Sequence, residues 1–327
     1  MWRILALLAL LAAAGRAAAQ EAPRLQLPLD CALPERCAVQ FYVDRARGSA
    51  VSDYRCGRRS YDTHRGTDFR VLSPEDFRAG VPVLAAAGGQ VLAVRDGMDD
   101  VDVGELGRDE VEGRAGGNQV VIGHDGGWLT FYWHLRRGSV AVSQGQTVAA
   151  GEKLGLIGLS GDTNFPHLHF ELRRGERTVV DPFAPSLGPP DCNAIGPTLW
   201  TPEALSQMDY AAVTSNGGFS TRELKRAEAT YGRAPETQPA AGAKKLFLWF
   251  EIYGLASGDR ISVQWRLPGG EWRKPATLVW SGDSAYAFRS GGLSVPGPLP
   301  GGEYAARLQV RRAGAQLYER TYEIDLR

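Results

Sequence analysis

The chain has no excess of either charge: 37 Lys and Arg face 37 Asp and Glu over 327 residues. A protein that grips nucleic acid through its phosphates needs a basic surplus, so that class is not expected. Long apolar runs are also scarce. One opens the chain, MWRILALLALLAAAGRAAAQ, and no later segment is long and apolar enough to span a bilayer. Arg3, the apolar residues 4–14 and the small residues Ala17, Ala18 and Ala19 read as a secretory signal peptide over residues 1–19. No cysteine follows the expected cut, so a lipid anchor is not indicated. The mature chain is expected in a periplasm or outside the cell.

Cysteine is limited to Cys31, Cys37, Cys56 and Cys192. In an oxidising compartment an even count reads as two disulfides. Three pairings exist. The preferred one is Cys31–Cys37 with Cys56–Cys192, the first closing a short loop and the second tying the start of the first domain to its end. A cysteine zinc site is the rival, and these spacings do not match a compact ligand set.

Histidine is also sparse: His64, His124, His134, His167 and His169. Two of the five fall in GLSGDTNFPHLHFEL, residues 158–172. Residues two apart on a strand share a face, and Phe170 and Leu172 alternate with His169 and Glu171 as a half-buried strand requires. Two imidazoles on one face point to a metal or a reaction centre. In YDTHRGTDFRV, residues 61–71, His64 and Asp68 are four apart. The Gly, Thr and Val around them favour strand and turn over helix, and i and i+4 share a face in either. An imidazole and a carboxylate suit zinc; a surface His and a turn Asp are the simpler alternative. NQVVIGHDGGWLTFYWHL, residues 118–135, reads as a hairpin. His124 is expected as an exposed turn residue. His134 follows Phe131, Tyr132 and Trp133, and is either a satisfied core histidine or a third reactive imidazole.

The remainder sets the architecture. Residues 20–59 form an irregular, disulfide-bearing lead-in, with one short strand at residues 40–44. Residues 81–97 read as two strands around Gly88 and Gly89, and residues 138–161 as short strands between glycine turns. Those glycines lack a following Lys-Ser/Thr, which excludes a phosphate-binding loop. Residues 96–112 hold eight acids and one arginine. They suit a lid or groove wall, a calcium site through Asp99, Asp100 and Asp102, or a solvated loop. Residues 186–243 are expected as a linker with one helix over 220–230, capped by Ser220 and Glu223. Residues 244–327 carry six or seven short strands and no histidine, as in an immunoglobulin- or fibronectin-like β-sandwich. Its Trp and Tyr are core or a patch for a protein partner. The fold class is mainly β.

Together, H-x-x-x-D at 64–68, Y-x-H-L at 132–135 and H-L-H-F-E at 167–171 resemble the lysostaphin-type, or LytM-like, zinc metallopeptidases. The flank HRGTDF and the run G-Q-x-V-x-x-G-E-K-L-G at 145–155 add to the likeness, which covers about residues 60–183. The resemblance implies an antiparallel β-sheet metallopeptidase domain over residues 60–185, with one Zn2+ per chain held by His64, Asp68 and His169. It implies His134 and His167 as the assisting histidines. His167 is favoured as base and His134 as oxyanion stabiliser, an order the sequence does not fix. The implied substrate is the peptide cross-links of bacterial peptidoglycan. Two imidazoles and one carboxylate leave a fourth tetrahedral position for water, which agrees with that chemistry. Two departures stand out: the acidic insertion is longer than the family's minimal connection, and the sandwich matches no familiar wall-binding module. Two other readings stay open. One is a non-catalytic regulator that binds and activates another wall hydrolase, although such members usually lack the ligands that this chain keeps. The other is a latent enzyme whose lead-in or acidic loop covers the groove.

Overall fold

A computed structural model describes residues 21–185, 196–230, 239, 241–293 and 295–327. The expected signal peptide and Cys192 lie outside the described residues. The first half is built on ten strands: β1 (Cys37–Phe41), β2 (Thr67–Val71), β3 (Pro82–Leu84), β4 (Gly89–Arg95), β5 (Asn118–His124), β6 (Trp128–Leu135), β7 (Thr147–Val148), β8 (Lys153–Leu156), β9 (His167–Arg174) and β10 (Thr178–Val179). Eight form one antiparallel sheet in the order β1-β2-β9-β6-β5-β4-β7, with β10 also on β9; β3 and β8 pair separately. Two short helices interrupt the strands, α1 (Pro74–Ala79) and α2 (Val103–Leu106). Ser73 caps α1 by accepting from the Asp76 amide at 3.0 Å, with Pro74 in the first turn.

Alternation gives this sheet two chemically different faces. Leu168, Phe170 and Leu172 of β9, Phe69 of β2, Val120 and Ile122 of β5 and Tyr132 of β6 are all essentially inaccessible. They pack with Leu25 and Leu29 of the lead-in, Val83 of β3, Leu154 of β8 and Trp200. Each such large side chain stabilises the fold by roughly 1.5–3 kcal/mol through burial. The opposite face of β2 and β9 carries Asp68, His167, His169 and Glu171.

The second half continues with α3 (Pro202–Gln207), β11 (Thr214–Ser220), α4 (Arg226–Thr230) and β12 (Leu246–Leu255), then β13 (Arg260–Arg266), β14 (Ala276–Val279), β15 (Ser284–Leu293), β16 (Gly302–Arg312) and β17 (Ala315–Leu326). A three-stranded sheet, β11-β12-β15, faces a four-stranded one, β14-β13-β16-β17. Leu248, Phe250 and Ile252 of the first pack with Ile261, Leu308 and Val310 of the second. Three antiparallel strands against four fit the expected immunoglobulin- or fibronectin-like sandwich.

Several local expectations change. The short lead-in strand runs over Cys37–Phe41 and is the edge of the main sheet. Asp44 is outside it: its carboxylate accepts from the amides of Ala46, Ser52 and Thr63, which ends the strand in a capped turn. The described part of residues 186–243 is folded. Trp200 and Ala204 enter the first core, and β11 is a sandwich strand. The helix expected over 220–230 is confined to Arg226–Thr230. Ser220 ends β11 and donates to the Arg222 carbonyl at 2.5 Å, so it cannot cap a helix with Glu223. Cys31 and Cys37 are bonded as expected. The Cys56–Cys192 pairing involves a residue outside the described set.

Candidate metal centre

Three donors converge where β2 and β9 pair. Asp68 lies opposite His169 in that ladder, so their side chains leave the sheet on the same face. His64 enters from the turn before β2. Asp68 Oδ1 is 3.1 Å from His64 Nε2 and 2.8 Å from His169 Nδ1, and the two nitrogens are 3.3 Å apart. All three residues are buried.

The outer nitrogens fix what the inner ones offer. His64 Nδ1 donates to the Tyr42 carbonyl at 2.7 Å, which leaves its Nε2 lone pair facing Asp68 and His169. Gly66 allows this approach: a Cβ there would sit 2.6 Å from His169 Nε2. Aromatic plates limit ring rotation. Tyr61 stacks on His64 at 4.3 Å and Trp133 on His169 at 5.0 Å between centroids. Burial raises the Asp68 pKa by itself, but the charge of His64 and the hydrogen bonds from His169 and His64 outweigh it. The carboxyl is held well below its ordinary range. At His64 burial works downward, and the charge and hydrogen bond of Asp68 reverse it, so its pKa is raised.

This donor set fits one cation. Its ligand atoms lie within 4.8 Å of one another, and Asp68 Oδ2 and His169 Nε2 are buried without a hydrogen-bond partner. Among the described residues it is the one group of three or more His, Cys, Asp or Glu arranged to hold a metal ion.

The other two expected histidines stand beside it. His134 and His167 are 4.7 Å apart by ring centroid, and His167 Nε2 is 3.5 Å from Asp68 Oδ1. His134 Nδ1 donates to the Ser160 carbonyl at 2.7 Å and His167 Nδ1 to the Phe165 carbonyl at 2.9 Å. Each therefore presents Nε2 as a free lone pair. Phe165 stacks on His167 at 4.2 Å. Burial depresses both imidazoles; the His167 pKa falls to about 4. Both are neutral at physiological pH.

His134 reaches this face through a backbone irregularity. Between the pairs Asn118–Leu135 and Val120–Tyr132, Trp133 and His134 share a single opposite residue, Gln119. This bulge puts His134 at φ +62°, in the left-handed region, and turns its ring out of the core register. Ser160, which the sequence reading did not single out, holds the turn: its carbonyl fixes His134 and its Oγ accepts from the Asn118 amide at 2.9 Å. His124 differs from expectation. It is half-buried at the end of β5, where Nδ1 bonds the Gly88 carbonyl at 2.8 Å and Nε2 pairs with Thr130 Oγ1 at 2.9 Å.

Asp68, His134 and His167 line a cleft of about 320 Å³. The acidic insertion is one of its walls, through Val103 and Arg108. Its carboxylates serve the backbone. Asp96 accepts from the amides of Gly138 and Val140, Asp100 from those of Leu159 and Arg137, and Asp102 caps α2. Asp99 pairs with Arg137. Among the described residues these carboxylates form no group arranged to hold a metal ion, so the calcium reading gains no support.

A buried donor set able to hold a cation, with neutral imidazoles at its edge, is the arrangement that metal-dependent hydrolases use to activate water. The family comparison narrows the reading: residues 62–182, about a third of the chain, match the model of peptidase family M23. A peptidoglycan DD-endopeptidase of Vibrio cholerae, ShyB, is 31% identical over 150 residues, covering 44% of this chain and 30% of that protein. The cell division protein DipM of Caulobacter vibrioides is 35% identical over 106 residues, covering 32% of this chain and 14% of that one. The matches thus span less than a third of either relative. The catalytic domain of lysostaphin from Staphylococcus simulans is 23% identical over 45% of this chain and 89% of that domain, with a TM-score of 0.30, too weak a likeness to bear on function.

Proposed function

We propose that the chain is a zinc-dependent endopeptidase acting on peptide cross-links of bacterial cell-wall peptidoglycan. The observation that carries this reading is the joint presence of His64, Asp68 and His169 as one buried donor set, with the Nε2 atoms of His134 and His167 free beside it. The M23 match and the relatives named as peptidoglycan endopeptidases support the substrate class, and an envelope location follows from it.

His64, Asp68 and His169 would hold the zinc, two imidazoles and a carboxylate with a position left open. When bound, zinc supplies a Lewis acid that polarises the scissile carbonyl and makes water a better nucleophile at neutral pH. The chain's own groups move the protons. His167, neutral and fixed by the Phe165 carbonyl, accepts a proton from the attacking water at Nε2. The carbon–nitrogen bond then breaks as the protonated imidazole returns that proton to the leaving amine. His134 faces the same space with its Nε2 lone pair. It can hydrogen-bond a developing oxyanion only while it carries the one proton taken from the attacking water, so the two histidines would share that proton as a coupled pair before it passes to the leaving amine.

The test compares the mature protein, His64→Ala and His134→Ala on purified cross-linked peptidoglycan, with products identified by mass spectrometry and zinc measured by atomic absorption. His64→Ala is expected to lose zinc and activity together. His134→Ala is expected to keep zinc and lose at least about a hundredfold in rate, the scale of one proton-transfer group. Retained cleavage in both variants removes the proposal. If the unmutated protein binds zinc, cuts nothing and instead stimulates a second wall hydrolase, the regulatory reading replaces it.

A further inference from the structure

The cleft is not made by the peptidase domain alone. Arg226 of α4 and Tyr286 of β15 line it together with Asp68, His134 and His167. Both residues belong to the second half of the chain, over 50 residues beyond the last histidine in sequence. The Arg226 guanidinium lies 5.7 Å over the Tyr286 ring, which orients it.

The placement of this wall is fixed by buried contacts. Arg70 of β2 is bound by Glu251 of β12, with both carboxylate oxygens 3.2 Å from Nη2. Tyr253 of β12 is buried against Ala38 and Leu72, beside Tyr286. Arg59 donates to the Gly254 carbonyl at 2.6 Å. The sandwich therefore sits on the β1–β2 edge of the main sheet and brings one end of β15 over the cleft.

The charges in the cleft distinguish its two arginines. Arg108 of the acidic insertion has Asp162 at 3.5 Å, so its charge is offset. No carboxylate among the described residues forms an ion pair with Arg226. We propose that Arg226, carried by the sandwich and backed by Tyr286, binds a free carboxylate of an acidic peptide substrate and so sets which peptides enter the cleft. This rests on the peptidase reading. Peptidoglycan stems, which carry free carboxylates, are the substrate class it fits. A guanidinium meets a carboxylate through paired N–H donors, a geometry that a carboxamide cannot match in charge.

The test uses the full, zinc-loaded chain and two probes. Binding is measured by titration calorimetry with an uncross-linked muropeptide, as the free acid and with its stem carboxylates amidated. Cleavage is followed on the cross-linked dimer. The unmutated protein is expected to bind the free acid about tenfold more tightly than the amide, the effect of one partly exposed charged contact. Arg226→Gln should erase that preference, with its loss on the dimer appearing in KM more than in kcat, and Arg226→Lys should restore part of it. Thermal unfolding of each variant shows whether the sandwich stays folded. Equal binding of acid and amide by the unmutated protein, a preference that survives Arg226→Gln, or no binding of either form overturns the inference. If cleavage proceeds without any charge preference, the inference fails while the peptidase reading stands. If the preference is present and lost in Arg226→Gln but no cross-link is cut, the contact stands and the peptidase reading fails.

Discussion

Removing the Glu251 carboxylate should destabilise the protein far more than its single ion pair suggests. Arg70 and Glu251 are 1% and 0% exposed at their side chains, so solvent screens neither charge. Besides Arg70, Glu251 accepts from Tyr253 Oη at 2.8 Å and Thr230 Oγ1 at 3.0 Å. Glu251→Leu leaves a guanidinium buried with Gln40 Oε1 at 3.2 Å as a remaining neutral acceptor. Stripping one partner from a buried pair costs about 3–5 kcal/mol, because the other charge keeps its desolvation penalty. At about 2–4 °C per kcal/mol for a domain of 150–250 residues, the midpoint should fall by roughly 6–20 °C. Arg70→Met alone should cost a comparable amount. The double variant Arg70→Met/Glu251→Leu removes both charges and should recover most of the loss, giving a coupling of at least about 2 kcal/mol. Differential scanning calorimetry measures all four proteins, and zinc content should not change, since neither residue is a donor at the site. A single-variant cost below about 1 kcal/mol, or a double variant no better than the sum of its singles, would refute the argument that this pair clamps the sandwich onto the sheet.

Two further perturbations follow from the same geometry. Gly66→Ala places a Cβ 2.6 Å from both His169 Nε2 and the Phe170 carbonyl, closer than real contacts allow. His169 must move, and zinc affinity should drop about 10–100-fold in competition with a chromophoric chelator; an unchanged affinity would show that the ring has room to retreat. Asp181 is buried, and burial outweighs Arg45 at 3.6 Å and the Phe183 amide to push its pKa up to about 7. The folded state then holds a proton that the unfolded state has lost between about pH 4 and 7. Its contribution to stability is fully present below about pH 4 and declines as pH rises through 7, by about 4 kcal/mol at most. Asp181→Asn should therefore gain on the unmutated protein at pH 8 relative to pH 5 in urea titrations, and a constant difference across that range would count against the buried carboxyl.

How much of this was legible in the sequence depends on whether regular periodicity holds. The strand at 167–174 was readable because Leu168, Phe170 and Leu172 alternate without interruption, and the same alternation put His167 and His169 together. At His134 the rule points the other way. Strict alternation would group it with Tyr132, which is fully buried in the core. One extra residue opposite Gln119 reverses its direction, and nothing in FYWHL marks a bulge. The strand at 214–220 was hidden for a different reason. Gly217 and Gly218 sit where apolar side chains would have announced it, and a Cβ at Gly217 would come within 2.6 Å of the Trp249 carbonyl. The acidic insertion looked solvated because its carboxylates were counted as charges, whereas Asp96, Asp100 and Asp102 act as acceptors for backbone amides.

The sandwich's part in the cleft was beyond any local signal. Arg226 and Tyr286 are 60 residues apart in sequence, and neither lies in a motif; only the docking of β12 and β15 against the β1–β2 edge brings them to His167. Arg70 shows how the two halves meet in a single residue. Its neighbour Phe69 faces the main core, while its own side chain turns to the site face opposite His167, packs 5.0 Å from the Phe165 ring that plates His167, and ends at Glu251 of the sandwich. A strand five residues long thus presents Asp68 to the candidate metal site and Arg70 to the second half of the chain. The same two-residue period that assembles the donor set also fixes where the sandwich docks.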